Sequence, residues 1–404
     1  MSIFHRIQEA IYDAAAIWRE EMRQVFRDEG VFIFFIIVPI AYPLVYSWIY
    51  NNEVVREVPV VVIDNDRSHL SREFVRKCDA SPNVHVKFYA EDLSEAKSLV
   101  SKQLVKGIYY IPSDFATSIN RQEQGVVSVY CDMSLMMTYK AVYQTAVEVS
   151  QEMGAEFQKK LSGLYTDHEE AVATKPLEFE DVALFNPSGG YGSCVLPAVL
   201  ILILQQTLLL GIGLSAGTAR EHNHNGELVS GRKPYTGVFR IVCGKALCYA
   251  MVYAVMATYL TVVIPRLFSF PAFASGRDLL LMLVPYIVAC VFLGITVSCL
   301  VRYRENVMLI TVFISLPLLY MSGVSWPQSN IPGLWQGVSW LFPTTFGIRA
   351  YVRLNSMGAS LNQVMPELHY LWIQAAAYFG MACLVYGHQL HRARKREKSL
   401  ETDE

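Results

Sequence analysis

Long apolar runs alternate with polar segments along most of this chain. Six runs are long enough to cross a bilayer, since about 20 helical residues match a hydrocarbon core of roughly 30 Å. They are Val31–Tyr50, Ser193–Gly217, Ile241–Ile264, Asp278–Leu300, Val307–Val324 and Leu368–His388. The pattern predicts a polytopic α-helical membrane protein with six transmembrane helices: residues 31–50 form the first, and residues 191–390 hold the other five.

Residues 1–30 show a different periodicity. Apolar side chains recur at spacings of three and four, which predicts a helix with one apolar face, and the acidic and basic residues among them rule out a signal peptide. The periodic positions are Phe4, Ile7, Ile11, Ala14, Trp18, Met22 and Val25. We favour an amphipathic helix lying in the cytoplasmic membrane interface, because Trp18 and Phe26 suit that environment. A helix packed on a cytosolic subunit is the alternative.

Residues 51–190 have the composition of a soluble domain. Short β-branched runs at Val58–Asp64, Val84–Tyr89, Gly107–Ile111 and Val126–Cys131 predict strands. Helices are expected after Ser68 or Ser71, over Leu93–Val105, from Pro112 and over Leu135–Leu161. This alternation predicts a small inserted α/β domain with partly parallel strands.

Basic residues set the expected orientation. Short segments on one side hold Arg220, Arg232, Lys233, Arg302 and Arg304, and residues 391–404 begin with the basic run HRARKREK. The opposite loop, Pro265–Arg277, holds only Arg266 and Arg277. The positive-inside rule therefore places both termini and the basic tail in the cytoplasm and makes the α/β domain extracytoplasmic.

Residues 325–365 are too polar and too rich in Pro and Gly for a full span. They nevertheless carry a high density of apolar side chains, which are Trp326, Trp335, Trp340, Leu341, Phe342 and Phe346. Such aromatic density suits the membrane interface, and we expect a helical hairpin that re-enters the outer leaflet.

The polar segment from Thr218 to Lys245 separates the second and third apolar runs, and residues 218–240 are its expected coupling part. It is the one internal polar segment on the positively charged side that is long enough to receive a soluble partner. The chain has no P-loop of its own, because Gly237 and Gly244-Lys245 have the wrong spacing and Ala246 follows. An energy source would therefore have to dock from outside, and this segment is the expected place.

Composition narrows the function further. Of 404 residues, 53% are hydrophobic and 17% charged, and the net charge of −2 gives no reason to expect nucleic acid as a partner. Because the spans hold almost no ionisable residues, an ion-coupled transporter is disfavoured. Gln205 and Gln206 are the polar exception, and they either join helices, which we favour, or line a polar pathway.

Other candidate sites have simpler interpretations. His222 and His224 lack further metal ligands, so a solvated loop is favoured over a metal site. Asp64 and Asp66 follow a strand and fit a turn and helix cap better than a cation site. No metal or catalytic site is expected. Cys78 and Cys131 could form a disulfide in an oxidising compartment, although geometry excludes most such pairs. The remaining cysteines are expected to be small apolar residues.

Several segments together resemble the permease subunit of type-2 ABC exporters, in the branch with a large extracytoplasmic domain between the first two spans. The segment AREHNHNGELVSGRKPYTGVFRIVCGKALCY is similar to the family's cytoplasmic coupling segment, with matches at Arg220, Glu221, Gly226, Glu227, Gly244 and Lys245. EHNHNGELVSG departs from the family's usual spacing, which leaves the contact residues open. The outer segment resembles the family's re-entrant hairpin at Ser322, Gly323, Pro327, Pro332, Trp335, Pro343 and Arg349. VVIDNDRSHLSREF and GIYYIPSDFATSI are also typical of that branch.

The resemblance implies a transport subunit without enzyme activity, in the cytoplasmic (inner) membrane of a bacterium. A cytosolic ABC ATPase carrying ATP and Mg would dock on Ala219–Arg232, and the permease would pair with a second copy or a paralogue. In an envelope with two membranes, a periplasmic adaptor and an outer-membrane channel would complete an efflux route. An apolar lumen favours an amphipathic or lipid-like compound or a drug as cargo.

Two alternatives remain at this stage. A non-transport membrane protein of the secretion-accessory or receptor type could use the extracytoplasmic domain to bind a partner, but it would not need a structured coupling segment. A permease homologue could also use ATP for signalling or mechanical work.

Overall fold

The computed structural model describes residues 3–162, 184–186, 189–222, 237–300 and 303–403. Two compact units are present. One comprises Met1–Asn51 together with Ala183–Glu404, and the other comprises Asn52–Val182.

Helices make up the first unit. They are α1 (Ile3–Arg27), α2 (Glu29–Ile49), α7 (Tyr191–His222), α8 (Val238–Leu267), α9 (Gly276–Leu300), α10 (Arg304–Met321), α11 (Gly333–Ser339), α12 (Pro343–Tyr351) and α13 (Met365–Asp403). Within the described residues, six helical segments are long and apolar enough to cross a membrane, in agreement with the predicted number of spans. Their observed bounds are Glu29–Ile49, Tyr191–Glu221, Val238–Leu267, Gly276–Cys299, Arg304–Met321 and Leu361–Arg392.

The observed spans differ from the predicted ones mainly at their ends. The fifth begins at Arg304 rather than Val307 and ends at Met321 rather than Val324. Its N-terminal end is extended by polar residues that apolar periodicity cannot detect, because they lie where the helix leaves the hydrocarbon, whereas its C-terminal end is shorter than predicted.

Helix α7 lies at the centre of this unit and contacts α2, α8, α9, α10 and α12. Glycines allow the closest of these contacts. A Cβ atom added at Gly213 would lie 2.2 Å from Cγ1 of Val307, and one added at Gly211 would lie 2.6 Å from the Phe35 ring. Small residues at such positions let helices pack without intervening side chains.

The second unit contains a four-stranded sheet in the order β2-β1-β3-β4. The strands are β1 (Val58–Asp64), β2 (Val84–Tyr89), β3 (Gly107–Ile111) and β4 (Ser128–Cys131), and the helices between and after them are α3 (His69–Asp79), α4 (Leu93–Ser101), α5 (Phe115–Asn120) and α6 (Met136–Ser162). Strand β1 pairs in parallel with β2 and β3, whereas β4 is antiparallel to β3.

The sheet separates two apolar clusters. Alternate residues of β1 point to opposite faces: Val58, Val60 and Val62 pack with α3 and α6, while Val61 and Ile63 pack with Ala96 of α4. The hydroxyl of Tyr109 donates to the carbonyl oxygen of Val142 at 2.8 Å and so joins β3 to α6. A β1 strand buried on both faces explains why its sequence is continuously apolar.

Three predicted boundaries in this unit were wrong by two residues or more. Helix α4 ends at Ser101 instead of Val105, and Gln103 has a positive φ of 59° in the turn that follows. Helix α5 begins at Phe115 rather than next to Pro112. Strand β4 begins at Ser128 rather than Val126, because its pairing with β3 extends only from Ser128 to Cys131.

Asp64 forms the turn after β1, and the helix cap that was also predicted here is Ser68. One of its carboxylate oxygens accepts hydrogen bonds from the backbone N–H groups of Asp66 (3.2 Å) and Arg67 (2.9 Å). Its second oxygen accepts from the Ser71 hydroxyl at 2.8 Å, and Ser68 caps α3. The Cys78 and Cys131 thiols are free, so the structure contains no disulfide between them.

Candidate functional site

Charged and hydrogen-bonding side chains gather where α1, α2, α7, α8, α9, α10 and α13 approach the two ends of segment 223–236. We call this group the polar layer. Its members are Asp13, Glu21, Asp28, Thr218, Arg220, Glu221, Arg240, Lys245, Tyr249, Arg304 and Gln389, with the carbonyl oxygen of Cys299. The layer joins the amphipathic helix α1 to helices of the predicted membrane region, several of which are distant from it in sequence.

Asp28 lies at the start of the first span and has two roles there. One carboxylate oxygen accepts from the backbone N–H groups of Gly30 at 2.9 Å and Val31 at 3.2 Å, which caps α2. The other accepts from the Thr218 hydroxyl at the end of α7. Burial alone would raise the pKa of Asp28, but these hydrogen bonds and the Arg304 charge outweigh burial and lower it below its usual value.

Arg304 connects α10 to both α2 and α7. Its Nη2 atom lies 3.4 Å from Oδ1 of Asp28, and its Nη1 atom lies 3.5 Å from Oε2 of Glu221. The side chain passes across Gly217, where an added Cβ would lie only 2.4 Å from Cγ of Arg304. The absence of a side chain at Gly217 is therefore what allows Arg304 to reach both carboxylates.

Arg220 is buried and faces the helix bundle. Its Nη2 atom donates to the carbonyl oxygen of Cys299 at 3.0 Å, and Nε2 of Gln389 donates to the same oxygen at 2.8 Å. This carbonyl lies at the end of α9, where no further helical turn uses it. The two side chains join α7 and α13 to the end of α9.

On the other side of segment 223–236, α8 is joined to α1 by a buried ion pair. Glu21 is 6% exposed and Lys245 is 8% exposed, and the two form a salt bridge. The second oxygen of Glu21 accepts from the Tyr249 hydroxyl at 2.7 Å. Asp13 and Arg240 form a second pair at 2.5 Å, closer to solvent.

Gly244 permits this close approach of the two helices. A Cβ atom added there would lie 2.9 Å from both the Ala14 carbonyl oxygen and Cβ of Ile17. Gly244 and Lys245 therefore contact α1 of the same chain. Their part in coupling to a partner stays a prediction, and any movement that they transmit would pass through α1.

The other predicted coupling residues differ in whether they are exposed, buried or outside the described part of the chain. Glu221 is exposed and lies next to Arg304, whereas Arg220 is turned inward. Gly226, Glu227 and Arg232 lie outside the described residues, as does His224, while His222 ends α7. The described part of the chain contains no cluster of three potential metal ligands.

Segment 325–365 contains two short α-helices of different character. Helix α11 exposes Trp335, whereas α12 is buried over nearly its whole length and begins with Pro343 in its first turn. The other predicted hairpin residues, Trp326, Pro327 and Pro332, lie between α10 and α11. Gly323 has a φ of +94°, a left-handed conformation in which a glycine is favoured.

Two side chains attach α12 to its neighbours. Gln205 is fully buried in α7, and its side-chain oxygen accepts from the backbone N–H of Thr344 at 2.9 Å, which caps the start of α12. Arg349 donates from Nε to the Ser322 carbonyl at 3.4 Å and lies over the Phe346 ring. The amide atoms of Gln206 are buried with no partner among the described residues.

Several members of the polar layer were not predicted. Asp28 was not singled out, Glu21 was used only to exclude a signal peptide, and Arg304 was used only for orientation. The sequence Asp28-Glu29-Gly30 does carry the signal of a helix N-cap, since Asp is strongly preferred at that position. No local signal reveals the pairing of Glu21 with Lys245, because 224 residues separate them.

Comparison with known protein families gives one result. The family model described as ABC-2 family transporter protein matches residues 30–384, which include all six candidate spans except their outermost turns. No curated protein matches the chain.

Proposed function

This chain belongs to the ABC-2 transporter family, and from that premise we propose that it is the membrane permease subunit of an ATP-driven exporter. The family supplies the membrane part of ABC transporters, a transport component that is generally not itself catalytic and that works with an ABC ATPase. The chain is accordingly a multi-pass membrane protein. Its direction of transport, its cargo and its mode of coupling are what we propose here.

The observation that carries the proposal is the anchoring of both ends of segment 223–236. On the α7 side, Arg220 is bound to the end of α9 and Glu221 faces Arg304. On the α8 side, Arg240 and Lys245 are paired with α1. A protein that displaces this segment would therefore displace α7, α8 and α1 together, since buried charge pairs are costly to separate.

We propose that a cytosolic ATPase docks on this segment, with Glu221 at its accessible edge. Closure of two ATPases on ATP would favour one arrangement of the helices over another, which is a population shift driven by differential affinity. In this scheme two permease chains assemble, and both termini are cytoplasmic. The unit Asn52–Val182 would be extracytoplasmic, where it would gate the exit or bind an adaptor.

The charge distribution supports an amphipathic or lipid-like cargo. The buried charged side chains of the described residues are Glu21, Arg220 and Lys245, and all three belong to the polar layer. Farther along the helices the buried polar side chains of the described residues are uncharged amides and hydroxyls. A path lined by such side chains offers no buried charge to balance an ionic cargo, and so it suits a molecule with a large apolar part.

Purification of the tagged chain from its native membranes in mild detergent tests the docking site. We expect a P-loop ATPase to co-elute with the wild-type chain and to be lost when Gly226–Ser230 is deleted. A deletion of equal length in the tail, Ser399–Asp403, is the matched control and should retain the ATPase. The amount of chain in the membrane is measured for each variant, so that loss of insertion is recognised.

A point variant separates docking from coupling. Glu221→Ala should leave the ATPase bound and lower the ATP hydrolysis that the permease stimulates, whereas Glu305→Ala, an exposed carboxylate nearby on α10, should not. Full retention of the ATPase by the Gly226–Ser230 deletion would refute the docking site. A wild-type chain that carries no ATPase but retains a protein bound to Asn52–Val182 would instead favour an accessory or receptor protein.

A further inference from the structure

Helix α1 presents three stripes of side chains, each repeating every four residues. Ile17, Glu21 and Val25 are buried against the rest of the bundle. The next stripe, one residue farther along, is Trp18, Met22 and Phe26, and the one after it is Arg19, Arg23 and Arg27. Because successive residues are about 100° apart on a helix, the aromatic and cationic stripes lie side by side on the outer surface.

A groove of about 490 Å³ runs between these two outer stripes and is lined by all six of their side chains. Its volume falls in the range of small-molecule sites, roughly 300–1,000 Å³. The surface of the groove is mostly apolar, and three arginine side chains line one side of it. Its occupant should therefore have a large apolar part beside an anionic group.

The arginine side of the groove is available for such an occupant. Arg19, Arg23 and Arg27 are all exposed, and none of them takes part in the ion pairs found between described residues. The acidic side chains of this part of α1 lie elsewhere: Glu21 faces inward, and Glu20 lies on the side of the arginine stripe that is away from the groove. Three guanidinium groups one turn apart suit phosphate oxygens, which arginine binds with several N–H donors.

The position of the groove identifies the occupant as a lipid. The Phe26 ring meets the Phe32 ring in the first turn of α2 at a centroid distance of 6.1 Å. From there, exposed Ile33, Ile37 and Ile40 continue the apolar surface along the first candidate span. An apolar surface that runs from the groove directly into a membrane span leads to the acyl chains, while the arginines lie where the span begins and where lipid phosphates lie.

We propose that the groove on α1 binds the phosphate headgroup of an anionic phospholipid, with Arg19, Arg23 and Arg27 on the phosphate and Trp18, Met22 and Phe26 against the glycerol and upper acyl chain. The inference rests on the proposed function only in assigning the lipid to the cytoplasmic leaflet, since that assignment uses the proposed topology. It adds a specific lipid site to a helix that otherwise contacts its own bundle, and it makes the position of α1 dependent on the charge of the membrane.

Native mass spectrometry of the full-length chain in detergent tests this site. The chain is titrated with phosphatidylglycerol, with phosphatidylcholine or with inorganic phosphate, and bound molecules are counted. We expect tighter binding of phosphatidylglycerol than of phosphatidylcholine. In the variant Arg19→Gln/Arg23→Gln/Arg27→Gln, affinity for phosphatidylglycerol should fall on the order of 100-fold, since each basic side chain near an anionic surface contributes about a fivefold change.

The matched control is Lys97→Gln/Lys102→Gln/Lys140→Gln, which removes the same charge from exposed positions in Asn52–Val182 and should bind as the wild type does. Arg19→Lys/Arg23→Lys/Arg27→Lys keeps the charge and should retain most of the affinity, which separates lipid binding from a folding defect. Unchanged phosphatidylglycerol binding in the glutamine variant would overturn the proposal. Competition by inorganic phosphate at equal concentration would also overturn it and indicate a free-anion site. Because lipid counting needs no ATPase, failure here leaves the docking experiment above unaffected.

Discussion

The buried pair between Glu21 and Lys245 gives the sharpest test of how α1 is held to the membrane helices. Replacement of Lys245 by Met removes the cation but keeps a flexible side chain of similar length. Glu21, which is 6% exposed in the wild-type chain, then keeps the Tyr249 hydroxyl as its one remaining partner among the described residues. The perturbation is therefore the creation of an unpaired buried carboxylate at the contact between α1 and α8.

Removal of one partner from a buried ion pair costs about 3–5 kcal/mol. At about 1.4 kcal/mol for each factor of ten, the equilibrium for local opening of α1 should rise on the order of 100-fold to several thousand-fold. Asp13 and Arg240 provide an internal comparison, because their side chains are 27% and 21% exposed. Solvent screens such a pair, and Arg240→Met should change the opening by about fivefold or less, equivalent to about 1 kcal/mol.

Hydrogen exchange of the α1 backbone amides, measured on the full-length chain in nanodiscs, reports this opening directly. We expect Lys245→Met to reduce protection across residues 14–25 strongly and Arg240→Met to reduce it weakly. Glu21→Gln/Lys245→Met removes both charges and should recover most of the protection. Protection of α9 serves as the control, since the polar layer reaches α9 through Arg220 and not through Glu21.

The reasoning would be refuted if Lys245→Met and Arg240→Met had equal effects, or if the double variant were no better protected than Lys245→Met. Either outcome would mean that apolar packing around Gly244, rather than the buried charge pair, holds α1 in place.

Three further predictions follow from other contacts. The pKa of Asp28 is lower in the folded chain than its unfolded value of about 3.9, so its charge stabilises the fold fully above that value, and this contribution is lost as the pH falls below it through the folded pKa. The loss of thermal stability that Asp28→Asn causes at pH 7 should therefore shrink in melting curves below about pH 4. A loss that does not change with pH would contradict the assignment. Gly213→Ala should lower the melting temperature, because the added Cβ would lie 2.2 Å from Cγ1 of Val307. Gly380→Ala should leave the melting temperature unchanged or raise it slightly, because no heavy atom lies within 4 Å of the added Cβ. Burial raises the pKa of Cys78 to about 12 and that of Cys131 to about 11, so a maleimide at pH 7 should label both thiols only after unfolding. Rapid labelling of the folded chain would show that the apolar core of the unit Asn52–Val182 is open to solvent.

Local patterns determined the elements of the protein with small errors at their ends. The length of the apolar runs predicted the six candidate spans. Backbone N–H and C=O groups inside a bilayer must form their hydrogen bonds within the segment itself, so a run of about 20 apolar residues can cross the bilayer only as a helix. Strands β1, β2 and β3 have the predicted bounds because β-branched runs between turn residues are locally distinctive. The α4 boundary failed because Leu104 and Val105 continue an apolar pattern through a turn that a left-handed Gln103 creates.

The candidate site depended on tertiary structure. The sequence marked the segment around Arg220 and Glu221 as polar, but it could not show that Arg220 turns inward to Cys299 while Glu221 stays exposed next to Arg304. Gly244 and Lys245 were recognised from a resemblance, and only the fold shows that both contact α1. Such pairings join residues far apart in the chain, and their energies depend on burial and on distances of a few ångströms. Neither quantity is encoded in local periodicity, so the sequence by itself determined the helices and strands, and the packing of the helices decided which charges meet.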